Sequence, residues 1–67
     1  MRVDYSKLWF LLDAKNISRN EFRIQTGLGS STYLKLLRNE NVSTASLLKI
    51  CEFLQCSLEE IVEIVNP

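Results

Sequence analysis

Residues 26–39 read TGLGSSTYLKLLRN and bring together side chains that can hydrogen bond or carry positive charge. Three hydroxyl residues follow the second glycine, and two cations come after them at helical spacing: Ser30, Ser31, Thr32, Lys35 and Arg38. Hydroxyl groups can both donate and accept hydrogen bonds, whereas lysine and arginine only donate and remain charged. This combination is suited to an anionic partner that presents hydrogen-bonding edges, such as double-stranded DNA.

The residues that most enzymes and metal sites need are scarce. The sequence has no histidine and two cysteines, Cys51 and Cys56. No paired nucleophile and base stand at a recognisable spacing, and two thiols could hold zinc only by sharing it across a dimer. We therefore expect no enzyme activity, no catalytic residue, no metal and no cofactor, with both cysteines acting as small hydrophobic residues.

The apolar segments are short. The longest, LWFLL, is far below the length of a membrane span, and no positively charged segment with an apolar run after it marks the chain for export. We expect a cytoplasmic protein without a membrane partner, and no small-molecule ligand is evident.

Charge is separated along the chain although the formal net charge is zero. Residues 15–38 hold five cations and one anion, a local charge of +4, whereas residues 40–67 hold one cation and five anions, a local charge of −4. A sign difference between halves indicates that the first half meets an anionic partner, although two ordinary solvated faces would give the same count.

One pattern recurs at the predicted helix starts: an apolar residue, a capping residue, and an apolar residue four positions after the cap. The five capping residues are Asp4, Ser18, Gly29, Ser43 and Ser57. They predict one all-α domain over residues 1–67, with helices at about 5–15, 19–26, 30–38, 44–54 and 58–63. The β-branched tail EIVEIV can form a short strand.

Helical spacing identifies a candidate core. Tyr5, Leu8, Trp9 and Leu12 share one face of the first predicted helix, and Leu47, Ile50, Cys51 and Leu54 share one face of the fourth. Asn16 and Gly27 tolerate the left-handed backbone with which helices often end. Because only Leu28 and Gly29 separate Gly27 from the third helix, the second and third helices must form a helix-turn-helix.

The third predicted helix has two different sides. At 100° per residue, Tyr33, Leu36 and Leu37 face inward, whereas Ser31, Leu34, Lys35 and Arg38 face outward, with Ser30 and Thr32 flanking the start. Small hydroxyl residues let a helix tip enter the major groove, and an apolar side chain such as Leu34 suits a thymine methyl group. Arg19 opens the second helix, where it can reach the DNA backbone.

Each of these residues also has a more ordinary role. Serines in a first turn are commonly caps, exposed cations are commonly just solvated, and Leu34 could contact a protein. The alternative to a DNA-binding regulator is therefore a protein-binding helical adaptor that retains the fold without binding DNA. Zero net charge and Leu34 favour the adaptor, and salt-dependent DNA binding would distinguish the two.

The segment ISRNEFRIQTGLGSSTYLKLLRNENVSTASLLKICEFLQCSLEEIVEI resembles the Cro/C1-type (Xre family) helix-turn-helix proteins in their compact single-domain form. The stretches TGLGSSTYLKL and LLKICEFLQCSLEEI are the most specific parts. The resemblance implies a lambda-repressor-like bundle of four to five short helices. It also implies sequence-specific binding of double-stranded DNA, usually as a homodimer that represses transcription from a palindromic operator.

The resemblance also implies roles for individual residues. It places base contacts at Ser30, Ser31 and Lys35, and phosphate contacts at Arg19, Asn39 and Asn41. With the outward face of the third helix, the expected DNA-binding residues are Arg19, Ser30, Ser31, Thr32, Leu34, Lys35, Arg38, Asn39 and Asn41.

Three positions depart from the family pattern. Gly29 replaces the usual serine or threonine, Ser30 replaces a frequent glutamine, and Arg23 stands where many relatives have a buried alanine, although compact relatives often carry arginine. These departures alter the expected operator sequence and leave the mode of binding unchanged.

Some apolar residues lie outside the predicted core stripes. These are Phe10, Phe53, Val62 and Val65, and we expect some of them to form a homodimer interface with an acidic rim of Glu59, Glu60 and Glu63. A domain of this size buries only about 60% of its unfolded surface and therefore gains stability from oligomerisation. The alternative is that these apolar residues complete the small core of the chain itself.

Overall fold

The computed structural model describes residues 1–66 and contains four α-helices and a two-stranded ribbon. The elements are β1 (Arg2–Asp4), α1 (Ser6–Ala14), α2 (Arg19–Thr26), α3 (Ser30–Leu37), α4 (Thr44–Leu54), a 3₁₀ turn (Leu58–Glu60) and β2 (Glu63–Val65). The helical fold class is confirmed, and Pro67, which the predicted domain includes, lies outside the described residues. None of the helices in residues 1–66 is long and apolar enough to cross a bilayer.

The two ends of the chain pair with each other. The expected strand in the tail is β2, which runs antiparallel to β1 with Val3 opposite Ile64. The sequence did not predict β1, and the predicted fifth helix over 58–63 is wrong beyond its first turn. Pairing with β1 requires extended backbone from Glu63 onwards, so only the 3₁₀ turn remains. Lys7 Nζ, 3.5 Å from Glu63 Oε1, ties α1 to β2.

The core confirms most of the predicted stripes. Its fully buried side chains come from every helix and from the segment after the 3₁₀ turn: Tyr5, Leu8, Leu12, Phe22, Leu36, Ile50, Leu54 and Ile61. Trp9, Leu47 and Cys51 are half-buried and pack against its margin. Each fully buried large apolar side chain stabilises the fold by about 1.5–3 kcal/mol.

Hydroxyl caps start two of the helices as predicted. Ser18 Oγ accepts from the Glu21 N–H at 3.1 Å, and Ser43 Oγ accepts from the Ser46 N–H at 3.2 Å. Asp4 is one residue too early to be the cap of α1, but its carboxylate accepts from the Ser6 N–H at 2.8 Å. Hydrogen bonding from the side chain and the backbone of Ser6 lowers the pKa of Asp4. Ser57 precedes the 3₁₀ turn without a side-chain cap bond.

Left-handed residues end three of the helical segments and the turn after α1. Asn16 (φ 60°) and Gly27 (φ 70°) are the predicted positions, and Asn39 (φ 57°) and Gln55 (φ 56°) were not predicted. The Tyr5 N–H donates to Asn39 Oδ1 at 3.0 Å and the Tyr5 hydroxyl donates to the Glu40 carbonyl at 2.8 Å. These bonds attach the end of α3 to the start of α1. Burial raises the pKa of Tyr5, which keeps its hydroxyl protonated.

Candidate nucleic-acid interface

A three-residue connection, Gly27 to Gly29, sets the angle between α2 and α3. Gly27 ends α2 in the left-handed conformation, and Gly29 begins α3 in extended conformation with φ −72° and ψ 162°. Leu28, between them, is buried in the core. The buried Phe22 of α2 and the buried Leu36 of α3 hold both helices on that core. The helix-turn-helix predicted from the sequence is therefore present, and it fixes which side of α3 is exposed.

The exposed side of α3 carries the predicted polar residues. Ser30, Ser31, Lys35 and Arg38 are exposed, and Thr32 is half-buried. Leu34 is also exposed, at 44% of its surface. An apolar side chain in this position is available to a partner. The predicted outward orientation is confirmed, while the DNA contacts of these residues remain a prediction.

The predicted inward orientation of Leu37 is wrong. Tyr33 packs against the core and Leu36 is fully buried, but 40% of the Leu37 surface is exposed. Leu37 follows Ser30 by seven residues and so lies almost directly two turns beyond it, on the exposed side. The helix also ends at Leu37, so no later turn covers it.

Two arginines of α2 are each stacked on an aromatic ring. The Arg19 guanidinium carbon lies 4.5 Å from the Trp9 ring centroid, and that of Arg23 lies 4.7 Å from the Tyr33 ring centroid. The two rings meet edge to face, with centroids 6.2 Å apart. Stacking of this kind restricts the flexible arginine side chains and contributes about 0.5–1 kcal/mol at exposed sites. The stacking therefore holds both positive charges close to the surface of the helix-turn-helix.

Arg23 also reaches α3. Its Nη2 donates to Ser30 Oγ at 3.3 Å, across the turn between the helices. Arg23 departs from the family pattern and is not one of the DNA-binding residues predicted from the sequence. Its pairing with Tyr33 and Ser30 depends on how α2 crosses α3, so helical periodicity within either segment could not reveal it. The available signal was an arginine in place of a small buried residue.

The first turn of α3 lacks a side-chain cap in the described structure. Gly29 occupies the cap position and has no side chain to accept from the first N–H groups. Serine hydroxyls accept from these groups in α2 and α4, and Asp4 accepts from the first residue of α1. Uncapped N–H groups and the positive end of the helix dipole favour anions such as phosphate.

The segment after α3 presents the two predicted asparagines differently. Asn39 Oδ1 already accepts from the Tyr5 N–H, so the amide NH₂ of Asn39 is the part left to contact a phosphate. Asn41 is exposed in the loop between α3 and α4. Both residues stay predicted contacts, with Asn39 held in place by the core-facing Tyr5.

The four residues predicted to form a dimer interface do not share one environment. Phe10 is 74% exposed on α1, close to Glu59 and Glu60. Phe53 and Val62 pack against the core of their own chain, and the Phe53 ring lies 6.4 Å from that of Phe22. Val65 is half-buried in β2. Phe10 is thus the member of this set with the largest free surface.

The two cysteines are free and half-buried at the end of α4. Burial, with smaller effects from Cys51 and from the charge of Glu60, raises the pKa of Cys56 to about 11. A thiol with a raised pKa holds little thiolate at neutral pH and is a poor nucleophile.

Comparison with known proteins agrees with this geometry. A family model described as a Cro/C1-type HTH DNA-binding domain matches residues 7–67. A crystal structure of the transcriptional regulator VanUg (form II) superposes with a TM-score of 0.95 at 44% sequence identity, covering 98% of this chain and 88% of that one. A search of curated proteins found no match. The chain belongs to the Cro/C1-type helix-turn-helix DNA-binding domains.

Proposed function

We propose that this chain is a sequence-specific, double-stranded DNA-binding transcriptional regulator that acts as a homodimer and represses transcription. The recognition helix is residues 30–38. The observation that carries the proposal is the exposed side of α3, which starts uncapped with hydroxyl residues and ends with two cations. The transcriptional regulator VanUg, similar over nearly the whole chain, supports the same assignment.

Each exposed residue has a role that fits its chemistry. Ser30, Ser31 and Thr32 contact base edges at the tip of the recognition helix, because short hydroxyl side chains allow close approach to the groove floor. Lys35 contacts a guanine or a phosphate, and Leu34 contacts a thymine methyl group. The phosphate contacts, which position the protein without reading sequence, come from Arg19, Arg38, Asn39 and Asn41.

Repression is the regulatory effect that requires the fewest contacts from a small DNA-binding domain. Occupying an operator is sufficient to block transcription, whereas activation needs a further contact with the transcription machinery. A reporter gene whose promoter contains an operator selected from random DNA with this protein should lose expression when the chain is produced. Increased expression would contradict the repressor assignment and leave DNA binding intact.

Dimer formation would supply the affinity that one small module lacks. A single module buries about 600–1,000 Å² on DNA, and dimers gain specificity by reading two half-sites about one helical turn apart. The exposed Phe10 and its acidic neighbours support an interface on α1. Sedimentation should show a dimer that Phe10→Ser weakens, and a monomer at high micromolar concentration would contradict the homodimer.

The proposed function is tested by fluorescence anisotropy with random-sequence duplex DNA across a salt series. Wild-type affinity should fall steeply with salt, because each phosphate contact releases counterions. Replacing both Lys35 and Arg38 with alanine should reduce the slope of log K against log salt by up to about two units.

The matched control removes two exposed cations outside this face, Arg2 on β1 and Lys49 on α4. This variant loses the same formal charge and should retain nearly all of the wild-type slope. If the wild type does not bind DNA even at low salt, the proposal is wrong. The exposed side of α3, with Leu34 at its centre, would then be better explained as the protein-binding surface of an adaptor.

A further inference from the structure

We propose that Arg23 is a specificity-determining residue that recognises a guanine in the major groove beside Ser30. The inference deepens the proposed function and rests on it. It adds a base-contacting residue from α2 to the proposed base contacts of the recognition helix. The contacts that carry it are the stacking of Arg23 on Tyr33 and its hydrogen bond to Ser30.

The Arg23 guanidinium is held in one place by contacts on two sides. The Tyr33 ring lies 4.7 Å from its central carbon, and Ser30 Oγ lies 3.3 Å from Nη2. Arg23 is half-buried, whereas Arg19, one turn earlier on α2, is exposed. An arginine ordered before binding loses less side-chain entropy when it contacts a partner, which favours a geometrically demanding contact.

The position of the guanidinium matches the proposed DNA face. Ser30 is the first residue of α3, so its hydroxyl places Arg23 at the tip of the proposed recognition helix. The one ion pair found in residues 1–66 joins Lys7 to Glu63, and the Arg23 charge therefore has no carboxylate partner there. A charge that is held in place and left unneutralised is available to an anionic ligand with acceptor atoms.

The remaining donors of Arg23 fit one base in particular. A guanidinium has five N–H groups, and the bond to Ser30 uses one of them. Guanine presents two acceptors, N7 and O6, in the major groove, and arginine binds both at once. Because Ser30 accepts from Arg23, the Ser30 hydroxyl proton stays free to donate to a neighbouring base or phosphate. Arg23 and Ser30 would then read the DNA as one unit.

The experiment first selects an operator from a random DNA pool with the wild-type protein. Anisotropy then measures affinity for that operator and for versions in which each guanine in turn is replaced by 7-deazaguanine, which lacks the N7 acceptor. At one guanine per half-site, we expect wild-type affinity to fall about ten- to a hundredfold. Arg23→Met, which removes every N–H donor of the side chain, should be insensitive to replacement of that guanine and should retain wild-type sensitivity at the others.

Arg19→Met is the matched control, since Arg19 lies on the same helix and also stacks on a ring. It should keep the sensitivity at every guanine, because a phosphate contact carries no base information. Circular dichroism should show that Arg23→Met, an uncharged variant with a similar stem, remains folded, and Arg23→Lys provides a second variant that keeps the positive charge.

Two outcomes would overturn the inference while leaving the proposed function intact. Arg23→Met could retain wild-type sensitivity at every guanine, which would exclude guanine recognition by Arg23. Alternatively, both Arg23 variants could weaken binding equally for all sequences, and Arg23→Met could lower the salt slope by about one unit, as expected of a phosphate contact. If the wild type selects no sequence, the proposed function itself fails.

Discussion

The starts of α3 and α4 have similar sequences but use their hydroxyl groups differently. The start of α4, VSTAS, places Ser43 at the cap position, where its hydroxyl accepts from the Ser46 N–H. The start of α3, LGSST, has Gly29 at that position, so its hydroxyl groups begin one residue later. In α3 the Ser30 hydroxyl accepts from Arg23 instead of from its own helix.

The hydroxyl of Ser43 stabilises the start of α4, whereas the start of α3 keeps its backbone donors available to a ligand. At α4 the hydroxyl satisfies backbone donors, which is the usual role of serine before a helix. At α3 the first-turn donors are left without a side-chain partner in the described structure, and the serine hydroxyl points a cation toward the helix tip. A one-residue shift of the hydroxyl run therefore replaces a capping hydrogen bond within the helix with a hydrogen bond from Arg23 of α2.

The largest expected effect comes from removing the packing that holds α3 in place. Leu36 is fully buried and Leu37, the next residue, is 40% exposed. Leu36→Ala should reduce the free energy of unfolding by about 2–5 kcal/mol. Leu37→Ala should reduce it by less than about 1 kcal/mol, because exposed substitutions remove little packing. Urea denaturation followed by circular dichroism measures both, and equal losses would contradict the observed orientation of α3.

Placing an anion at the start of α3 should weaken DNA binding while stabilising the protein. Gly29 has φ −72° and free space around its Cβ position, so a side chain can be added without strain. Gly29→Asp should cap α3 and raise the free energy of unfolding by a few tenths of a kcal/mol. Its charge should lower DNA affinity by about tenfold at low salt, through repulsion of phosphates.

Gly29→Ser is the control for that substitution, because it adds a cap without charge. It should give a similar gain in thermal stability and keep DNA affinity close to that of the wild type. A loss of affinity with serine equal to that with aspartate would mean that the side chain, and not its charge, blocks the contact.

The smallest expected effect is the difference in stability between removing the Ser43 hydroxyl and removing the Ser30 hydroxyl. Ser43→Ala should cost about 1 kcal/mol of stability, because the first turn of α4 loses its cap. Ser30→Ala should change stability by less than about 0.5 kcal/mol and should instead reduce affinity for a selected operator. Thermal unfolding and anisotropy on both variants measure the two quantities. Comparable stability losses would show that Ser30 also acts as a structural cap.

Local interactions explain why so much of the helical fold could be predicted. The caps at Ser18 and Ser43 act within three residues, and the core stripes of α1 and α4 follow from helical spacing. The three-residue link between α2 and α3 leaves little freedom in their arrangement. Exposure of Ser31, Leu34 and Lys35 then follows from the burial of Leu36 on the opposite side.

Predictions failed where a contact joined distant parts of the chain or where a helix ended early. Strand β1 is visible only from its pairing with β2 at the other end of the chain, and that pairing shortened the predicted fifth helix. Asn39 accepts from Tyr5 across 34 positions. The inward orientation predicted for Leu37 is wrong because helical spacing within α3 does not show which neighbouring elements cover each side of the helix.

The sequence by itself determined the helices, the turn between α2 and α3 and the hydroxyl and cationic side of α3, because capping, periodicity and linker length act over a few residues. The tertiary structure alone decided that β1 and β2 pair, that Tyr5 anchors the end of α3, and that Arg23 lies between Tyr33 and Ser30. These contacts depend on the crossing of elements and on the closure of long loops, neither of which local sequence preferences specify.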